Sequence, residues 1–159
     1  MRILVISDTH KRIKHVLDLM EGDHRFDRIF HLGDVVRDAQ DLESLFDIPI
    51  DYVAGNCDWG EINIPTEKVV FIQGKKILLT HGHHHYVKHG TNMLKALAKK
   101  ENYDIILYGH THMAHEEYEG KCLILNPGSI SSPRDGAASF GVLTIDEDGK
   151  IHTNIPRIS

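Results

Sequence analysis

The sequence predicts an α/β protein in which two packed mixed β-sheets form a β-sandwich flanked by helices, an α/β/β/α arrangement. Two observations support this. In the first half, short runs of Ile, Leu and Val bounded by polar residues alternate with segments of helical spacing, the pattern of β–α–β units. In the last third, strand-like segments follow one another without a helical pattern between them. We interpret this last third as an antiparallel meander.

The first half contains three predicted strands and two amphipathic helices. The strands cover residues 3–7, 28–32 and 50–54. The first helix is predicted from the spacing of Ile13, Val16, Leu17 and Met20 and ends near Gly22, a favoured stop. The second presents Ala39, Leu42, Leu45 and Phe46 on one face. Residues 59–66 show neither period and are expected to form a loop.

The second half begins with a predicted hairpin, whose strands 69–72 and 77–79 flank Gly74, Lys75 and Lys76. Thr91 is expected to cap a helix that turns Leu94, Leu97 and Ala98 inward. The remaining predicted strands cover residues 104–108, 116–118, 123–125, 140–145 and 151–155.

Composition limits the class of protein. A chain of 159 residues suits one domain, 1–159, and its 26% charged and 41% hydrophobic residues are globular values. No apolar run approaches the roughly 20 residues that span a bilayer, and the first strand follows Met1 directly, so we expect a cytoplasmic protein without membrane contact. The net charge of −5 gives no strong nucleic-acid signal. Cys57 and Cys122 show no metal-finger spacing and are expected to be reduced; a homo-oligomer is left open.

Five apolar strands each end in a polar cluster of metal-binding residue types. The clusters are Asp8 with His10, Asp34, Asn56 with Asp58, His81, and His110 with His112. Strand ends at one sheet edge bring such side chains together. Imidazole and carboxylate suit first-row metals, and the donors exceed the about four that one tetrahedral ion takes. Two metal ions are therefore expected. The alternative reading of the first cluster is a helix cap at Asp8 or Thr9.

The order of these clusters resembles a known family. The motifs are Asp-x-His at Asp8 and His10, Gly-Asp at Gly33 and Asp34, Gly-Asn at Gly55 and Asn56, a single His at His81, and Gly-His-x-His at 109–112. The series is similar to that of the calcineurin-like metallophosphoesterases. The tail from Asn126 to Arg134 resembles their small prokaryotic phosphodiesterase branch.

This resemblance implies a two-metal centre. One metal would be held by Asp8, His10 and His112, the other by Asn56, His81 and His110, with Asp34 bridging. It implies two divalent transition-metal ions per chain, manganese in first place and nickel, iron or zinc as alternatives. In two-metal sites the ions supply a hydroxide for in-line attack on phosphorus. Asn56 would also bind the phosphate of the substrate.

Cys57 departs from the family pattern, which usually has His at this position to protonate the leaving oxygen. A thiol with a pKa of about 8.5 is a poor substitute for an imidazolium. Esters with acidic leaving groups are therefore expected to react far faster than alkyl esters unless Asp58, His83 or a water supplies the proton. The alternative for Cys57 is a buried apolar filler. His83 is the candidate for a substrate-facing role.

Several other polar residues receive structural interpretations. His31 is expected to be a hydrogen-bonded core residue, and His84 and His85 to be solvated. Surface positions are expected for His15, His24, His89 and His152. Asn126 to Ser129 is interpreted as a tight turn in preference to a support for the metal ligands.

The function that the resemblance implies is a metal-dependent phosphodiesterase acting on a small or exposed phosphodiester. A phosphomonoesterase with the same centre is one alternative. The other is a non-catalytic protein-binding scaffold of the same fold, as in the retromer subunit, which lacks a histidine in its final motif. Because His110 and His112 are both present here, catalysis is favoured.

Overall fold

The computed structural model describes residues 1–22 and 25–158. The elements in this part of the chain are β1 (Arg2–Ile6), α1 (Lys14–Glu21), β2 (Arg28–His31), α2 (Val36–Leu45), β3 (Ile50–Tyr52), β4 (Glu67–Ile72), β5 (Lys75–Thr80), two 3₁₀ turns (His83–His85 and Val87–His89), α3 (Asn92–Glu101), β6 (Ile105–Leu107), β7 (Ala114–Glu119), β8 (Cys122–Pro127), β9 (Gly141–Ile145) and β10 (Ile151–Asn154). None of the described helices is long and apolar enough to cross a membrane.

The strands form two mixed sheets of five strands each, which confirms the predicted fold class. The first sheet has the order β10–β9–β1–β2–β3, and the second has the order β4–β5–β6–β8–β7. β1, β2 and β3 run parallel, as do β5, β6 and β8. β–α–β connections produce the parallel neighbours β1–β2, β2–β3 and β5–β6, whereas β8 pairs with β6 after the hairpin strand β7. The carboxyl ends of three strands in each sheet consequently share an edge.

Three apolar clusters define the layers. The central cluster joins Ile3 and Val5 of the first sheet to Leu79 and Leu107 of the second. A second cluster packs the outer face of the first sheet against α1 and α2. A third packs α3, through Leu94, against the outer face of the second sheet. In central strands such as β1, β6 and β8, alternate side chains therefore face a helix layer and the opposite sheet, so both faces are buried as predicted for β1. The strands β4, β7 and β10 keep an exposed face.

The predicted antiparallel meander in the last third is wrong. β7 and β8 form a hairpin in the second sheet, whereas β9 and β10 form one in the first. Residues 128–140 connect β8 in the second sheet to β9 in the first. β8 also pairs in parallel with β6. Side-chain alternation indicates that a segment is a strand but carries no information on which sheet receives it.

Two local predictions also need correction. The β4–β5 hairpin turns at Gln73 and Gly74, whose φ angles are 50° and 76°, so Lys75 and Lys76 belong to β5. Two left-handed residues are what a tight type I′ turn requires. Thr91 precedes α3 but makes no capping hydrogen bond, because its hydroxyl donates to Glu117 instead.

The surface histidines follow the prediction where they are described. His89 and His152 are exposed, and His15 is half-buried. The prediction for His24 lies outside the described residues.

Candidate metal centre

The polar strand ends of both sheets meet at one edge of the sandwich. Within the first sheet, the backbone N–H of Asp8 donates to Gly33 O (3.0 Å), and within the second, that of Gly109 donates to His81 O (3.0 Å). The backbone N–H of His110 donates across the sheets to Asp8 Oδ2 (3.0 Å). These hydrogen bonds within the protein hold the loops in place without a ligand.

The structure brings Asp8, His10 and His112 together on one side of this edge. Their candidate ligand atoms all lie within 4.8 Å of one another. His112 Nε2 is 3.2 Å and His10 Nε2 3.8 Å from Asp8 Oδ1, and the two Nε2 atoms are 3.3 Å apart. This is the first predicted ligand set.

The second predicted set surrounds His81. Its Nε2 atom is 3.0 Å from Asn56 Oδ1 and 3.2 Å from His110 Nδ1. Asp34 Oδ2 lies between the two sets, 3.4 Å from His81 Nε2 and 3.9 Å from His10 Nε2. All seven predicted ligands therefore come together, with Asp34 between the two sets.

The donor atoms fit bound cations. His81 Nδ1–H donates to Leu32 O (2.7 Å) and His112 Nδ1–H to Ser132 O (2.6 Å). Because these bonds fix the tautomers, both Nε2 lone pairs face the centre and other acceptor atoms. Asp8 Oδ1 is buried without a hydrogen-bond partner. Mutually facing lone pairs and an orphaned carboxylate oxygen are what a cation between them satisfies.

The electrostatics favour the ligand forms of both carboxylates. Burial tends to raise the pKa of Asp34, but the His81 contact and the Cys57 N–H hold that pKa well below its usual range. Likewise, burial opposes the lowering of the Asp8 pKa by His112, His81 and Ser7. Both side chains are therefore ionised at neutral pH, the state that binds a cation.

The backbone at the centre is unusual. Asp8, His10, Asp34, His110 and His112 have positive φ angles of 57°, 45°, 44°, 73° and 60°. Non-glycine residues in this region cost free energy and cluster at functional sites. Five of the seven candidate ligands thus lie in the left-handed region, which no sequence pattern predicts.

Asp58 joins the two loops that carry Asp34 and Asn56. Its carboxylate accepts the backbone N–H groups of Gly55 (2.7 Å), Val36 (2.7 Å) and Asp34 (3.2 Å). The predicted role of Asp58 as a proton donor stays a prediction. The structure gives this side chain a positioning role of its own.

Cys57 is exposed, so its interpretation as a buried filler is wrong. Its backbone N–H donates to Asp34 Oδ1 (2.9 Å), which turns the thiol toward the centre, within 4.8 Å of donor atoms of His10 and Asp34. Partial desolvation, reinforced by Asp34, raises the pKa of the thiol to about 11. Such a thiol remains protonated at neutral pH but is a weak acid.

The run of three histidines divides as predicted only in part. His83 is half-buried beside the rings of His81 and His110, with centroids 5.4 and 6.1 Å away, and its Nδ1 atom has no partner. His84 is exposed. His85 is not a free solvated residue, because it contacts the Glu67 carboxylate. His83 is thus the member of the run that borders the centre.

The segment from Asn126 supports the ligand loops, which corrects its interpretation as only a turn. Asn126 Nδ2 donates to Gly109 O (3.1 Å) and Thr111 Oγ1 (2.9 Å). Ser129 Oγ and Ser131 Oγ donate to Asp8 O (2.9 and 3.0 Å). The Asn-Pro-Gly-Ser motif was the sequence signal for this role. The groups that it contacts could not be predicted, because Asp8 lies over 100 residues away in sequence.

A buried polar chain lies beneath the first ligand loop. Gly33 N–H donates to His31 Nδ1 (3.2 Å), so Nε2 carries the proton of the neutral ring and donates to Thr9 Oγ1 (3.0 Å). Thr9 in turn donates to Asp38, which also accepts the N–H of Lys11. His31 is thus the hydrogen-bonded core residue that was predicted, and neither Asp8 nor Thr9 caps α1, which follows Ile13.

His31 predicts an acid-dependent loss of stability. Burial lowers the pKa of His31 to about 4, from 6.5. Between pH 6.5 and 4 the His31 ring is protonated in the unfolded chain but stays neutral in the folded one. The free energy of unfolding therefore falls as the pH decreases over this range, by about 3 kcal/mol in total. Denaturant unfolding of the metal-free proteins should show that the difference in free energy of unfolding between wild type and His31→Gln shrinks by this amount as the pH is lowered from 6.5 to 4. Parallel pH curves would contradict the assignment, and His152→Gln, at an exposed site, is the control.

Comparison with known proteins extends these observations. Residues 1–148 match the model for the calcineurin-like phosphoesterase superfamily domain. Probable metallophosphoesterase YsnB of Bacillus subtilis is 33% identical over 153 residues, covering 93% of this chain and 86% of YsnB. Phosphodiesterase MJ0936 of Methanocaldococcus jannaschii is 29% identical, covering 92% of this chain and 95% of its own. A crystal structure of Vps29 from Entamoeba histolytica matches over 100% of both chains with a TM-score of 0.79 at 24% identity, a likeness of fold.

Proposed function

Because this chain belongs to the calcineurin-like phosphoesterase superfamily, we propose that it is a metal-dependent phosphodiesterase acting on a small or exposed phosphodiester. The observation that carries the proposal is Asp34 Oδ2, which lies within 4 Å of a histidine from each donor set. A shared carboxylate between two sets of N and O donors is the arrangement of a two-metal hydrolase.

In this proposal each donor set holds one divalent ion. Asp8, His10 and His112 would hold the first, Asn56, His81 and His110 would hold the second, and Asp34 would contribute to both. When bound, the ions supply a hydroxide for in-line attack and neutralise the phosphoryl oxygens. Manganese is the first choice, with nickel, iron and zinc as alternatives. The domain would comprise residues 1–159.

The remaining residues bind and orient the ester. Asn56 is exposed at the centre, so its amide N–H can reach a phosphoryl oxygen. His83 is half-buried and borders the same side, beside the rings of His81 and His110, and would face the substrate there. Asp58 holds Asp34 and Asn56 in place. Cys57 occupies the position from which the leaving oxygen would be protonated.

The test combines metal analysis with hydrolysis. Wild type is loaded with Mn²⁺, Ni²⁺, Fe²⁺ or Zn²⁺, and its rates on bis(4-nitrophenyl) phosphate and 4-nitrophenyl phosphate are compared with those of Asp34→Ala. Diester hydrolysis well above the variant supports the proposal, whereas a preference for the monoester supports the phosphomonoesterase alternative. A metal-loaded wild type no faster than the variant on either ester would refute both.

A protein-binding scaffold is the second candidate. The specific observation is Trp59 and Ile62, which are 90% and 91% exposed on the loop after Asp58, in a fold shared with Vps29. Exposed apolar side chains in a cluster favour a partner surface. Absence of hydrolysis with metal bound would favour this candidate.

Cys57→His is expected to increase the turnover of poorly activated diesters. An imidazolium is a far better proton donor to an alkoxide than a thiol whose pKa is about 11, and general acids contribute about 10²-fold or more. We therefore expect a gain for an alkyl diester and little change for a nitrophenyl diester, measured as kcat. An unchanged or lower kcat on the alkyl diester would contradict this account of the missing acid.

A further inference from the structure

A pocket lies between the segment at Val87 and Lys88 and the segment from Thr111 to His115. It has a volume of about 450 Å³ and is lined by Val87, Lys88, Tyr108, Met113, His115 and Arg134, among others. This volume falls within the roughly 300–1,000 Å³ of small-molecule sites. The Val87, Tyr108 and Met113 side chains make part of its wall apolar. We call it the Lys88–Arg134 pocket.

The charge of this pocket is opposite to that of the chain. The protein has a net charge of −5, yet the lining of the pocket contains Lys88, His115 and Arg134 and no acidic residue. His115 is paired with Glu117 (3.3 Å). Lys88 and Arg134 are exposed, and among the described residues neither cationic group forms an ion pair or a side-chain hydrogen bond. Two uncompensated cations thus face one apolar-walled pocket.

The pocket lies next to the loop that carries His110 and His112. Thr111, between His110 and His112, also lines it, and the backbone N–H of Arg134 donates to His112 O (2.9 Å). Both links run through the loop that carries two candidate ligands, so a substituent of an ester bound at the centre can extend toward the cationic pocket.

We propose that the Lys88–Arg134 pocket receives the ester group that stays on phosphorus and selects substrates in which this group carries a second phosphate. The inference rests on the proposed phosphodiesterase function, which it deepens by naming the substrate class. Lys88 supplies a mobile charge and Arg134 a planar fork that can bind a phosphate with two hydrogen bonds. The apolar wall accepts the carbon skeleton between the two phosphates.

A matched pair of chromogenic diesters tests the proposal. Thymidine 5′-(4-nitrophenyl phosphate) and its 3′-phosphorylated analogue differ only in the second phosphate. With manganese-loaded protein we expect the analogue to have a kcat/KM about tenfold higher, mainly through a lower KM, because charge-assisted hydrogen bonds form in the pocket. The ratio should fall to near one in the double variant Lys88→Gln/Arg134→Gln. Lys100→Gln, at an exposed position on α3, should keep the wild-type ratio.

Binding supplies a readout that does not depend on catalysis. Calorimetry of metal-free protein should show thymidine 3′,5′-bisphosphate binding to wild type and Lys100→Gln, and about tenfold weaker binding to the double variant. A ratio near one in wild type, or an unchanged ratio or affinity in the double variant, would overturn the pocket assignment while leaving the phosphodiesterase proposal intact. If neither diester is hydrolysed, the function proposal fails, and the bisphosphate affinities then decide the pocket by themselves.

Discussion

A Gly55→Ala variant is expected to lose at least about a hundredfold of its phosphodiesterase activity while remaining folded, since a displacement of about 1 Å at a catalytic group can cost this much. A Cβ atom on Gly55 would lie 2.1 Å from Asp34 Oδ1 and 2.8 Å from Asp34 N. Asp34 cannot keep its bridging position beside such a methyl group. The φ of Gly55 is not in the left-handed region, so the effect is a steric one on the carboxylate and not backbone strain.

Metal content, kcat and thermal unfolding should be measured together for this variant. We expect metal content and kcat to fall while the unfolding transition stays cooperative. Gly22→Ala is the matched control, because Gly22 is exposed and has a φ of −78° that alanine adopts equally well. Wild-type metal content and activity in Gly55→Ala would show that Asp34 does not have to remain where the structure places it.

Asp58→Asn is expected to weaken metal binding by about 10- to 100-fold, the range for residues that orient ligands. The carboxylate has two acceptor atoms for three backbone N–H groups. An amide offers one acceptor and turns an NH₂ group toward the remaining N–H, so one loop must move. The rate should recover in part at high metal concentration. Asp41→Asn, at an exposed site on α2, should have no such effect.

This variant also separates positioning from proton donation. Trp59, the only tryptophan, follows Asp58 directly and can report a manganese titration by fluorescence. A positioning role predicts weaker metal binding and an equal loss for alkyl and nitrophenyl diesters. If metal affinity were unchanged and only alkyl diesters reacted more slowly, Asp58 would be the general acid instead.

The fold could be predicted where it follows from local pattern. Alternation of strand and helix requires parallel neighbours, so β1, β2 and β3 and their layer were predictable. The assignment of the last two hairpins to different sheets was not, since it depends on which exposed edge each hairpin covers. β9 completes the first sheet by pairing with β1 across about 140 residues of chain, a choice made by tertiary packing.

The candidate site likewise has a part that the sequence predicts and a part that it does not. The seven candidate ligands follow strand ends and belong to a recognisable series, so the sequence predicts their convergence at one edge of the sandwich. Their supports come from elsewhere. Asn126 and Ser129 act on loops distant in sequence, and His31 acts through Thr9. The left-handed φ angles at Asp8 and His110 occur at non-glycine residues, so residue type does not indicate them.

The contacts between the last third of the chain and the first loop set an order of events during biosynthesis. Asp8 is synthesised 121 residues before Ser129 and 123 before Ser131, yet the hydroxyl groups of these two serines hold its carbonyl, and its strand is flanked by β9. Domains fold as units once their residues have been synthesised. A nascent chain that has reached only His112 therefore possesses every candidate ligand but not the scaffold that aligns them, so metal capture in the native geometry has to await residues 129–145.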